Sequence, residues 1–218
     1  MEAERYMEAE RHMDAPAGRP AEIKLPEPRT TGGMPLLDAL KQRHSTRKYS
    51  TTPVSLQELS DVLWAAFGLT REFAGTGIHT PGSHSAPAAH NWQEVDLYLA
   101  VEDGLYCYDP LEHGLEGLLA VDIRHLTAHE EQPFVLDVPV ILIYVADLSR
   151  MHDSDEWDRG IFPWADSAVM AENVYLYCSS AGLATVVRAK FERPPLAAAM
   201  GLGPDHLITF TQPLGYAG

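Results

Sequence analysis

The sequence predicts an α+β fold with a mainly antiparallel central sheet and helices flanking it. Three observations carry that expectation. Residues 95–110, VDLYLAVEDGLYCYDP, alternate apolar and polar positions on either side of Asp103-Gly104, the pattern of two strands joined by a tight turn. Residues 139–148, PVILIYVADL, form an unbroken apolar run, which fits a strand buried on both faces. Residues 163–182, PWADSAVMAENVYLYCSSAG, read as a long helix, apolar around much of its circumference and closing on Gly182. Such a helix is expected at the centre of the fold or at a subunit interface.

From the N-terminus, residues 1–21 read as a disordered or weakly helical arm. The unit MEAER occurs twice, followed first by Tyr6 and then by His12, and gives way to a Pro/Gly/Ala stretch. The arm lacks the short apolar core of a secretory signal. Residues 22–35, EIKLPEPRTTGGMP, are rich in proline and glycine and form an extended lead-in. A first helix is expected from Pro35 to Gln42, with Leu36, Leu37 and Leu40 on one face. The second has a stronger start. Ser55 and Glu58 stand at capping-box spacing, Val54 and Leu59 at staple spacing, and Gly68 is placed to stop it. Residues 70–94 read as a long polar loop, a length that signals function or disorder in a compact domain. After the hairpin, the buried strand and the long helix come a short strand in LATVV (183–187), a small helix from Pro195 to Met200 and a last strand in LITFTQPLGYAG. Residues 22–218 are thus expected to form a single domain.

Composition narrows the function classes. The chain has 218 residues, 45% of them hydrophobic and 22% charged, enough to bury a sizeable core. Its formal net charge is −15. Nucleic acid and anionic membrane both need a basic face, so neither is an expected partner. No run of about 18 apolar residues is present to span a bilayer. Cys107 and Cys178 lie far apart and form no CxxC, which fits half-buried thiols in a reducing compartment and a cytoplasmic protein.

Against that acidic background, LKQRHSTRKYS (40–50) concentrates Arg43, Ser45 and Arg47, with His44 and Thr46 between them. In an extended segment, residues two apart share a face. Two guanidinium forks and a hydroxyl on one face suit a phosphate or another delocalised anion. The alternative is a solvated basic stretch, which the C-terminal end of a preceding helix also favours.

ALKQRHSTRKYS resembles the N-terminal signature of the FMN-dependent nitroreductase family, Arg-x-Ser-x-Arg/Lys followed by an aromatic, here Arg43, Ser45, Arg47 and Tyr49. PAAHNWQ resembles the family's Pro-Ser/Ala-x-x-Asn-x-Gln segment, with Pro87, Ala88, Asn91 and Gln93. GLATVV, after the long helix, is similar to the segment that reaches the isoalloxazine ring. QPLGYAG and EDGLYCYDP resemble the branch that includes peptide azoline dehydrogenases. The resemblance runs from about residue 35 to the end. It implies a nitroreductase-like α+β fold, a domain-swapped type of homodimer and bound FMN. By resemblance, Arg43 and Ser45 hold the FMN phosphate with His44 alongside, and Arg47 lies at the N1/O2 edge. Asn91 acts from the other subunit, within the cofactor-binding stretch of Pro87, Ala88 and Gln93. The backbone of Val187, Arg188 and Ala189 approaches N5. A fixed cation at N1/O2 would stabilise the reduced flavin, which gains negative charge there. Two features depart from the pattern. Where many members have Ile-Glu-Gly, this chain has Arg188-Ala189-Lys190, so no acidic group is expected to face N5. Many members also carry a basic C-terminal tail at the phosphate, for which Arg188 is here the candidate substitute.

Other signals are weaker. His79, His84 and His90 share one loop, but their spacing fits no zinc signature and no metal is expected. GSHS (82–85) lacks the strand-to-helix elbow of a serine hydrolase, and Gly75 and Gly77 lack the context of a dinucleotide site. Arg124 is expected at the surface beside a neighbouring acid. Two readings of function follow. The first is a homodimeric FMN oxidoreductase passing hydride from NAD(P)H to a small-molecule acceptor such as a quinone or nitroaromatic, or dehydrogenating a substrate. The flavin N5 carries the hydride, and no side chain is named as catalytic. The second is a flavin- or nucleotide-binding module for storage or sensing, without turnover.

Overall fold

A computed structural model describes residues 18–71 and 83–218. Along the chain come β1 (Ile23–Lys24), α1 (Leu36–Gln42), α2 (Leu56–Phe67), β2 (Leu69–Arg71), β3 (Ser83–His84), β4 (Val95–Val101), β5 (Gly104–Asp109) and β6 (Gly114–Leu119). They are followed by β7 (Val140–Asp147), α3 (Glu156–Ala181), β8 (Ala184–Thr185), α4 (Arg193–Met200) and β9 (His206–Gly215). Seven strands form one sheet in the order β1-β6-β5-β4-β7-β9-β8, with every neighbouring pair antiparallel. β2 and β3 make a separate small ribbon.

The sheet is buried on both faces, and β7 shows why its sequence is continuously apolar. Ile141, Ile143 and Val145 point to one side, where they join Ile123, Val135, Phe191 and Leu196. Leu142, Tyr144 and Ala146 point to the other, against Val62 and Leu63 of α2 and Met170 and Val174 of α3. Each such apolar side chain contributes roughly 1.5–3 kcal/mol by leaving water. The hairpin forms as expected, with Val101 paired to Gly104 and Glu102-Asp103 at its tip.

Most helix boundaries follow local chemistry. Ser55 and Glu58 make the expected capping box at the start of α2. Gly68 ends α2 but is extended rather than left-handed; a Cβ there would meet the Trp64 ring at 2.2 Å, so close approach is what requires glycine. The long helix begins earlier than expected. Asp155 and Asp158 form its capping box, and Pro163, which read as a first-turn proline, lies inside α3. Its C-terminus is as expected, with Gly182 at φ 72°. Four strands were not anticipated. β6 completes a meander with β5, and β1, within the expected lead-in, pairs with β6. β3, with β2, interrupts the expected 70–94 loop. The ordered fold also starts ahead of residue 22, because the Gly18 carbonyl accepts the Ala120 N–H at 2.9 Å. Residues 1–17 of the arm, His79, Gly75 and Gly77 lie outside the described residues.

The lead-in is tied to the helices through Asp61, which is fully buried. Its two oxygens accept the Arg29 N–H and Nε–H, each at 2.7 Å, and the Tyr177 hydroxyl at 2.8 Å. Arg124 pairs with Asp122 at 2.6 Å as expected of a residue beside an acid, though it is partly buried. Among the described residues, no helix is long and apolar enough to cross a membrane.

Candidate flavin site

The basic segment leaves α1 at Arg43 and is pinned along its length. Thr46 N–H donates to the Thr185 carbonyl of β8 at 3.0 Å. The Tyr49 hydroxyl donates to the Thr46 carbonyl at 2.9 Å. The end of the chain runs beside it, with Ser50 N–H on the Tyr216 carbonyl and Gly218 N–H on the Lys48 carbonyl. These bonds leave Arg43 and Ser45 half-buried and His44 and Arg47 exposed. His44 Nδ1–H donates to the Gln42 carbonyl at 2.8 Å.

Tyr175 of α3 organises the segment, and nothing in its sequence surroundings marks it. The Arg43 guanidinium lies 5.2 Å from its ring centroid, within cation–π range. Its hydroxyl accepts the Val187 N–H at 2.9 Å and stands 3.0 Å from Ser45 Oγ. Either hydroxyl can be the donor in the Ser45–Tyr175 contact; when the tyrosine donates, the serine's own O–H is available to an outside acceptor. Arg43, Ser45 and Val187 therefore meet around one ring. Among the described residues, neither Arg43 nor Arg47 enters an ion pair; the paired cations are Arg19, Arg29, Arg124, Arg150 and Lys190.

The 187–189 backbone is held from behind. Arg188 exchanges both backbone hydrogen bonds with Thr211, at 2.7 and 2.9 Å. Its guanidinium is buried and donates to Gln132 Oε1, the Thr127 carbonyl and the Lys190 carbonyl at 2.7–3.1 Å. Arg188 is thus a buried strut and not the open substitute cation expected from sequence, because a chain segment distant in sequence supplies acceptors that consume its donors. Ala189 is exposed, and its N–H finds no acceptor among the described residues.

The second group of expected residues lies elsewhere. Pro87, Ala88, Asn91 and Gln93 line a recess of about 380 Å³ with Phe67, Arg71, Ser83 and His84. Gln93 Nε2–H donates to Asn91 Oδ1 at 2.9 Å. His90, Asn91 and Gln93 have φ of 49°, 56° and 49°, an unusual run for residues with a Cβ. The loop is fastened to α3 by the Ala89 N–H on Asp166 Oδ2 at 2.7 Å, and by His90 and Trp92 packing on Phe162. Trp92 Nε1–H donates to the His152 carbonyl, and Arg150 to the Gln93 carbonyl, both at 3.0 Å. Asp166 and Tyr175 are nine positions apart on α3, which places them roughly 180° apart around the helix and about 13 Å along it. One protomer therefore does not bring its two groups of expected residues together.

No thiol is poised for chemistry: burial pushes Cys107 up to about 12 and raises Cys178 further. His84 stacks on Phe67 at 4.0 Å and its Nδ1–H donates to the Phe67 carbonyl. Among the described residues no cluster of metal-ligating side chains occurs.

Sheet order and the long central helix define an α+β scaffold, at whose edge Arg43 and Arg47 enter no ion pair among the described residues. The sequence profile of the nitroreductase family matches residues 40–216. A Methanocaldococcus jannaschii protein whose name assigns it to the nitroreductases is 32% identical over 178 residues, 78% of this chain and 84% of that one. A crystal structure from Ralstonia eutropha JMP134, titled as a nitroreductase, superposes with a TM-score of 0.83 at 39% identity, covering 94% of this chain and 92% of that one. The NADPH:FMN oxidoreductase of Vibrio harveyi, solved with NAD+, shares the fold at a TM-score of 0.62 and 16% identity, over 84% of this chain and 68% of that one. The chain belongs to the nitroreductase family. It is a flavin-dependent oxidoreductase.

Proposed function

We propose that this flavin is FMN, held at the Arg43–Arg47 segment, and that a homodimer completes each site. The observation that carries the reading is the pair of arginines that enter no ion pair among the described residues, in a chain of net charge −15. Their donors and the Ser45 hydroxyl fit a phosphate dianion, and the exposed Ala189 N–H fits an acceptor at the ring edge. When bound, FMN supplies the hydride-carrying chemistry that the protein's side chains lack. Arg43 and Ser45 hold the phosphate, with His44 alongside. Arg47 stabilises negative charge at the N1/O2 edge. Val187 and Ala189 shape the N5 side, and Arg188 keeps them in place. Pro87, Ala88, Asn91 and Gln93 lie on the opposite side of α3 from Tyr175, so they reach the cofactor of the other subunit. In this reading NAD(P)H gives hydride to the flavin and a quinone or nitroaromatic takes it; in the alternative form a substrate is dehydrogenated and itself gives hydride to FMN.

The test has two parts. Purified protein is expected to be yellow, and its heat-released chromophore to run as FMN; FAD, or no flavin after reconstitution, overturns the assignment. Mixed dimers of Arg43→Met and Asn91→Ala are expected to recover FMN at half the sites, since one site then carries both intact residues. Equal loss in mixed and unmixed dimers would show that both residues serve the same protomer.

A further inference from the structure

We propose that Glu94 and Asp166 share one proton and act as a positioning pair, locking the strained 87–93 loop in the form that presents Asn91 and Gln93. The proposal rests on the flavin reading above. Three observations support it. Glu94 is completely buried, and neither of its side-chain oxygens receives a hydrogen bond from an N–H or hydroxyl donor. Its carboxyl lies beside that of Asp166, itself 8% exposed, whose charge bears on it. Asp166 in turn takes the Ala89 N–H at 2.7 Å, at the start of the run of left-handed residues His90, Asn91 and Gln93.

Two carboxylates side by side in a dry site cannot both ionise, so a proton between them is the arrangement that satisfies Glu94. A non-glycine residue held left-handed costs on the order of 1 kcal/mol or more, so the loop needs such a fastening. The other charge facing Glu94 is Arg150, which is committed to Asp96 at 2.5 Å and Asp147 at 3.4 Å. His90, on the loop itself, stacks against Trp92 and Phe162. Burial and then the neighbouring Asp166 raise the Glu94 carboxyl to about 7, and burial likewise raises Asp166. A raised folded value means the lock holds at lower pH and is lost as pH climbs through about 7. With the proton gone, repulsion across the pair is relieved when the loop leaves Asp166.

Glu94→Gln tests this, because its amide donates to Asp166 at every pH and cannot titrate. In cofactor-free wild type, the infrared carbonyl band of a buried protonated carboxylic acid is expected at pH 6, to fade by pH 8.5, and to be missing in Glu94→Gln. FMN binding to wild type is expected to weaken by up to about tenfold as pH rises over the same range, and to stay flat in the variant. No acid band in wild type, a band unchanged by the substitution, or the same pH slope in both proteins overturns the proposal. Should no FMN bind at any pH, the flavin reading alone fails. The lock is then read from Ala89 amide exchange at pH 8.5, expected slower in Glu94→Gln than in wild type; equal rates overturn it.

Discussion

Ser45 Oγ stands 3.0 Å from the hydroxyl of Tyr175, although the two residues are 130 positions apart in sequence. The same hydroxyl holds the Val187 amide, so one side chain sets the spacing between the proposed phosphate end and the proposed ring end of the site. Tyr175→Phe keeps the ring under Arg43 and removes both bonds. We expect a loss of roughly 1–3 kcal/mol, since the Val187 N–H is left without its acceptor. That corresponds to a fall of about 2–10 °C in the melting temperature of a domain this size. Calorimetry of the cofactor-free protein checks it; an unchanged melting temperature would mean the hydroxyl organises nothing.

The two arginines separate catalysis from binding. Arg47 is exposed and enters no ion pair among the described residues, so Arg47→Met should leave cofactor-free stability alone. A fixed charge at the reduced ring is worth on the order of 2–4 kcal/mol, or roughly 40–90 mV for a two-electron couple. Arg47→Met should lower the midpoint potential by that amount. Arg43→Met should instead weaken FMN binding, with a nearly normal potential at saturation. Potentiometry of both variants in excess FMN decides, and the larger shift in Arg43→Met would reverse the two roles.

Asp61 anchors the lead-in to both helices. Burial alone would raise its carboxyl, but the Arg29 backbone amide, Tyr177, the Arg29 side chain and Gln57 hold it below the ordinary range. Its contribution is therefore present above about pH 4 and lost as pH falls. Because Arg29 can return to water, Asp61→Ala should cost about 2–3 kcal/mol, less than breaking a fully buried pair. Urea unfolding at pH 7 measures this, and a cost under 1 kcal/mol contradicts it.

A histidine chain also loses its contribution as pH falls, but at mildly acidic pH. Ser60 donates to the Pro26 carbonyl at 2.6 Å, so its oxygen accepts from His113 Nε2–H at 2.8 Å, and Tyr108 donates to Nδ1 at 2.9 Å. Both ring nitrogens are spoken for in the neutral form, and burial lowers the His113 value below 6.5. The unfolded chain then binds the proton first, so this stability is present above pH 6.5 and falls below it by up to about 1.4 kcal/mol per pH unit. Urea midpoints of wild type and His113→Gln should converge between pH 6.5 and 5.5. A constant gap would show that His113 does not titrate there.

What the sequence revealed was short-range. The Ser55–Glu58 box, the Gly182 stop and the Val95–Asp109 hairpin each depend on residues within a few positions of one another, and each formed as read. Pro163 misled because a proline is commonest in a first turn, while the real start, Asp155 with Asp158, uses two aspartates instead of the usual Ser/Thr and Glu. β6 was hidden because its sequence, GLEGLL, carries two glycines. The basic segment was legible as a motif. Tyr175 was not, since its role comes from contacts with residues 43, 45 and 187 that only the folded chain assembles. Arg188 was misjudged for the same reason, as Thr127 and Gln132 lie more than fifty residues upstream.

The two margins of the sheet, β1 and β8, are each only two residues long. Such stubs present almost no row of unpaired amides and carbonyls, so a neighbouring chain has no template on which to add a strand. Self-association by edge-to-edge pairing, the route that leads to open-ended fibres, is blunted at both ends. In the proposed homodimer a second copy would then be recognised by side chains on helices, where Leu36, Leu37 and Leu40 on α1 and Val169 on α3 are exposed in a single protomer.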